Sequence, residues 1–130
     1  MKRIIWTIAS GLAVLFLGAV CALWLWIDHD VKDNIRVVKK QYAGTAEDAL
    51  IAYLLDDKNS YYSRSGIAIW TLGQIHSQKA LPVIKGFYKN DPKGKTCKGQ
   101  HSYVLCQHEM YNAIRAIEGN GWLLHARRNK

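Results

Sequence analysis

The sequence predicts an all-α protein in which a single N-terminal transmembrane helix leads into a short helical domain of about two helix pairs. Three observations carry this. The run from Ile4 to Ile27 holds no charged side chain. Beyond it, apolar residues recur at spacings of three and four, the period of a helix with one buried face. No stretch alternates apolar and polar residues as a half-buried strand would.

The 24 residues of the first run would extend about 36 Å as a helix, more than the roughly 30 Å hydrocarbon core of a bilayer. Trp6 stands near one end and Trp24 and Trp26 near the other, where indole rings favour the interface. Residues 4–27 are therefore read as a retained anchor. Val20-Cys21-Ala22 would serve as a leader cleavage site, but Leu23-Trp24-Leu25-Trp26-Ile27 follows where a polar region belongs. Lys2 and Arg3 precede the span, and Asp28, Asp30 and Asp33 follow it. That places the N-terminus inside and the C-terminal domain outside the cytosol, periplasmic or extracellular. Lys32, Arg36, Lys39 and Lys40 on the far flank pull the other way.

Residues 28–43 form a juxtamembrane amphipathic helix, with Val31, Ile35, Val38 and Tyr42 as its stripe. It either continues the anchor or follows a short break, and it ends at Ala43-Gly44. The helical domain occupies 44–121. Thr45 opens its first helix as N-cap, with Asp48 positioned to reach back, and Ala49, Leu50, Tyr53 and Leu54 make the apolar face. A second helix over 60–75 buries Ala68, Ile69, Leu72 and Ile75. A turn capped by Ser77 leads to a third with Pro82 in its first turn and Ala80, Leu81, Ile84, Phe87 and Tyr88 inward. A Lys- and Gly-rich loop follows. A fourth helix then carries Cys106, Met110, Ala113, Ile114 and Ile117 inward until Gly119. Residues 122–130 read as a basic tail.

Ala49-Leu50 and Tyr53 correspond to Ala80-Leu81 and Ile84, and Leu72 and Ile75 to Ile114 and Ile117, so the domain carries a weak internal repeat. Thr71-Leu72-Gly73-Gln74-Ile75 followed by Lys79-Ala80-Leu81-Pro82 resembles HEAT-like repeats of the phycobilisome-lyase type, with Thr71 in place of the usual Ala and His76 where Gly is common. The resemblance implies stacked antiparallel helix pairs that bind other proteins. It does not imply lyase activity, because function resides in sites grafted on a fold.

The chain carries a formal charge of +8. Without Lys2 and Arg3, 16 basic residues face ten acidic ones, or +6 after the anchor. Six lysines lie between Lys79 and Lys98, a segment suited to anionic lipid or simply to keeping the domain solvated. Tyr61, Tyr62 and Trp70 are read as core or protein-docking aromatics, and no nucleic-acid partner is expected beside a membrane anchor.

Candidate chemistry is sparse. Cys97, His101, Cys106 and His108 offer zinc-ligand types at spacings of no familiar finger. In an oxidising compartment Cys97 and Cys106 would form a disulfide, and two unpaired thiols are the third option. His108-Glu109 is the only His-Glu pair, too few for the di-iron sites of HEAT-like hydroxylases. No nucleophile has a base and an orienter around it, and no phosphate-binding glycine loop occurs. The expected function is thus a non-catalytic, cofactor-free module that scaffolds or modulates a membrane or envelope complex, with Tyr62, Ile67 and Trp70 as partner-binding residues. The rival is a small metal-dependent or redox protein built on Cys97, His101, Cys106 and His108.

Overall fold

The computed structural model describes residues 2–97 and 103–119, with side chains from residue 11 onward. The described residues are helical, with no strand among them. α1 runs unbroken from Lys2–Lys39, so the apolar run and the juxtamembrane stripe share one rod. From Gly11 onward most of its apolar portion is exposed, Leu12, Leu15, Phe16 and Leu25 among it, while Trp24 and Ile27 are half-buried. By length and composition this helix could cross a membrane.

Its C-terminal third behaves differently. Val31 and Val38 are buried, and Ile35 and Tyr42 pack against the core. The opposite face carries the i,i+4 pair Asp28–Lys32 and the i,i+3 pair Asp33–Arg36, which support an exposed helix surface. The helix stops at Lys39, four residues before Ala43. The Tyr42 N–H still bonds to the Val38 carbonyl at 2.9 Å in a final turn.

α2 (Ala46–Leu55) starts at a capping box. The Asp48 N–H donates to Thr45 Oγ1, and the Thr45 N–H donates to Asp48 Oδ2, both at 3.2 Å. Lys79, from the next helix pair, closes on the same carboxylate. Its ammonium and then the Thr45 donors lower the Asp48 pKa to about 2. Because the folded value lies below the ordinary carboxylate range near 3.9, the stabilisation is present above about pH 4 and is lost as pH falls towards 2. Lys79, raised by the same contact, stays protonated throughout that window. Between pH 4 and pH 2 the melting temperature of the wild-type chain should therefore fall further than that of Asp48→Asn. Parallel melting curves would show Asp48 uninvolved.

The segment expected as one regular helix over 60–75 is helical but not regular. α3 (Tyr61–Ser63) passes into a π-helical stretch (Arg64–Ile69) and then α4 (Trp70–Gln74). The Trp70 N–H bonds to the Ser65 carbonyl, five residues back. α4 ends as a Schellman motif: the His76 N–H bonds to Gly73 and the Ser77 N–H to Leu72, with His76 left-handed at φ 54°. This is the position where glycine is common in the repeats that the sequence resembles. Ser77 Oγ accepts from the Ala80 N–H at 3.2 Å and caps the turn before α5 (Leu81–Phe87), whose first turn holds Pro82. α6 (Gln107–Ile117) completes the domain.

The 61–74 helix is the middle layer, with α2 on one side and α6 on the other; α5 packs on α6, and α1 covers α2 and α4. Leu50, Leu54, Ile69, Leu72, Ile84 and Met110 are fully buried between these layers. α4 and α6 approach closely at Gly73, where an added Cβ would meet Ala113 Cα at 3.0 Å.

Candidate functional site

Two places gather side chains with chemical potential. The first is the loop before α6. Cys97 and Cys106 are both buried, with their sulfurs 2.6 Å apart. Gly94, at φ +60°, permits this approach, since a Cβ there would fall 2.9 Å from Cys97 Sγ and 2.8 Å from His108 Cβ. In the reduced form burial raises the Cys106 pKa to about 11, and the neighbouring Cys97 thiol adds to the effect, so this sulfur is a poor nucleophile at neutral pH.

His108 is committed locally. Its Nδ1 lies 2.9 Å from the Pro92 carbonyl oxygen and so carries the proton. That leaves Nε2 to accept from Asn112 Nδ2 at 3.1 Å. His101 lies outside the described residues. Among those described, no three His, Cys, Asp or Glu side chains converge as metal ligands would. Gln107 ties the segment down: its Oε1 accepts from the Lys89 N–H at 2.6 Å and its Nε2 donates to the Phe87 carbonyl at 3.2 Å. The lysine-rich segment is partly spoken for, with Lys79 on Asp48 and Lys85 on Glu118. Lys98 lies outside the described residues.

The second place is a groove of about 870 Å³ where α1, the 61–74 helix and the start of α6 meet. From α1 come Trp26, Ile27, Asp30 and Asp33; the 61–74 helix adds Tyr62, Trp70 and Gln74, and α6 adds Glu109. Its size falls in the range of ligand-sized clefts. It opens where the apolar stretch of α1 gives way to the packed stretch. The π-helical stretch forms one wall through Ser65 and Gly66, consistent with the tendency of such turns to occur at sites. Ser65 Oγ also accepts from the Cys106 N–H at 3.1 Å and so fixes the start of α6 against this wall.

Of the three residues predicted to bind a partner, two come together here. Tyr62 is 68% exposed and Trp70 half-buried, and both line the groove. Ile67 does not line it and packs against the core. Trp70 is therefore neither a core residue nor a free surface aromatic. Sequence reasoning missed Asp30, Gln74 and Glu109 as lining residues, and no local spacing links positions on three separate helices. Gln74 is 3% exposed, and its Oε1 is buried with no hydrogen-bond partner among the described residues. Comparison with protein families, with curated proteins and with solved structures finds no match to this chain.

Proposed function

We propose that this chain is a membrane-anchored, non-catalytic helical module that docks another protein at the membrane surface, with its domain outside the cytosol. The observation that carries the reading is the division of α1. One stretch is apolar and mostly exposed among its described side chains, and the next is locked into the helical core. A contiguous apolar surface of that length calls for a nonaqueous surrounding. The HEAT-like assignment is part of the proposal, supported by two successive helix pairs that stack through α4 and α6. The engagement of both His108 nitrogens and the raised pKa of Cys106 count against the metal or redox-enzyme reading.

Docking is tested by placing a photo-crosslinking amino acid at Tyr62 or, as a control, at the exposed Leu55 in membranes of the source organism. A discrete adduct with one protein from Tyr62 and none from Leu55 is expected. Equal or absent labelling at both positions would remove the docking role. Sidedness has its own test. In an oxidising compartment the adjacent Cys97 and Cys106 sulfurs form a disulfide, adding about 2–3 kcal/mol for so short a loop. Thiol trapping in intact cells followed by mass spectrometry should find them linked. Two alkylated cysteines would reverse the compartment.

A further inference from the structure

We propose that the groove receives an arginine side chain carried on an apolar segment of a second membrane protein. The inference rests on the docking function above and names the chemistry of the docked segment. It starts from charge. The chain is strongly basic at +8, yet three carboxylates and no lysine or arginine line this groove. Asp33 is answered by Arg36 at 2.6 Å. Among the described residues, Asp30 has only the His29 ring at 3.9 Å, which lies nearer to Asp33 at 3.5 Å, and Glu109 pairs with no cation. A module that must stay soluble has no need to collect acids against its own net charge; a cationic partner supplies a reason.

The second observation is Gln74. A buried amide oxygen without a partner is costly and uncommon in a folded chain, and this one belongs to a residue that lines the groove. That oxygen is closed off from solvent, so a donor arriving with the ligand would answer it once the Gln74 amide turns toward the groove. The third is the aromatic lining from Trp26, Tyr62 and Trp70. A planar guanidinium meets all three features together. It offers five donors to carboxylate and amide oxygens and stacks on aromatic faces, where an ammonium provides a compact and strongly hydrated charge. The groove exceeds the volume of one side chain, which leaves room for apolar neighbours of that arginine against the rings. Trp26 and Ile27 lie at the last turn of the apolar span, so the matching segment is one that itself emerges from the bilayer.

The test selects displayed random dodecapeptides on the full chain in a neutral maltoside detergent. Enriched peptides should carry arginine flanked by aliphatic or aromatic residues. Synthetic versions with citrulline in its place should bind at least about tenfold more weakly, and lysine should fall between. Glu109→Gln and Asp30→Asn should each weaken the arginine peptide by about tenfold. Gln74→Met separates a site role from a structural one, because it should lose affinity while melting no lower than wild type. Enrichment without arginine, equal binding of citrulline, indifference to these variants or no enrichment at all would each overturn the proposal. Its failure is separable from that of the docking function. A Tyr62 adduct whose partner presents no arginine sinks the inference alone, whereas arginine peptides bound in detergent without a native adduct sink the docking role alone.

Discussion

Replacing Leu72 by alanine should cost about 2–5 kcal/mol of folding stability, as read by denaturant melts of the full chain in detergent followed through far-ultraviolet circular dichroism. Leu72 is fully buried in the middle layer, with α2 on one side and α6 on the other. Its carbonyl also accepts the closing bond of the α4 Schellman turn from Ser77. Loss of its branched end leaves a cavity that neither neighbour can fill easily. α4 is held against α6 at Gly73, already 3.0 Å from Ala113 in terms of an added Cβ, so the layers have little freedom to close inward. Leu55, one residue past the buried Leu54 and 53% exposed, is the matched control; its alanine variant should stay within about 0.5 kcal/mol of wild type. A Leu72→Ala loss no larger than that of Leu55→Ala would mean that α2 and α6 do not depend on the middle layer.

The same layer shows what a sequence can and cannot convey. Apolar faces were legible because burial repeats with the helix period: Ala49, Leu50, Tyr53 and Leu54 are all buried, as are Met110, Ala113, Ile114 and Ile117. Thr45 and Asp48 were legible because a capping box is local. The π-helical register of Arg64–Ile69 was not, since a helical wheel assumes one fixed residue count per turn. Buried polar residues were also hidden. Arg64 is 6% exposed because its Nε reaches the Leu54 carbonyl at 2.7 Å, where a cation suits the C-terminal end of α2. Ser65 and Gln107 are buried for similar reasons, each with bonds to a distant segment. The aromatic half of the groove, Tyr62 and Trp70, was readable as large rings off the core face. Its polar half was not, because Asp30, Gln74 and Glu109 converge only through tertiary packing.

A fragment that begins at Asp28 should melt cooperatively, whereas one that begins at Gly44 should not. α1 looks divisible into an apolar stretch and a spacer, but its last turns are part of the core. Val38 is fully buried and Val31 is 4% exposed. Burial of two valines contributes about 3–6 kcal/mol, against a total of roughly 5–15 kcal/mol for an ordinary domain and less margin for one this small. Polar ties go with them. Asn34 Nδ2 donates to Thr71 Oγ1 at 3.0 Å, and Thr71 is fully buried, so the loss strands a hydroxyl. Tyr42 Oη donates to Asp56 at 2.7 Å, and Asn59 Nδ2 donates to Tyr42 Oη at 3.0 Å; together they pin the end of α1 to the end of α2. The Tyr42 ring meets Tyr53 edge-on at 5.9 Å. Without this cover, apolar residues of α2 and α4 would face water and promote association. The shorter fragment should therefore show no sharp thermal transition and should elute as aggregates in size-exclusion chromatography, while the longer one keeps a single transition. Equal midpoints for the two fragments would show that the last third of α1 is only a tether. The unequal result would put the boundary between the apolar stretch and the fold inside one continuous helix, beside the turn that brings Trp26 and Asp30 to the groove.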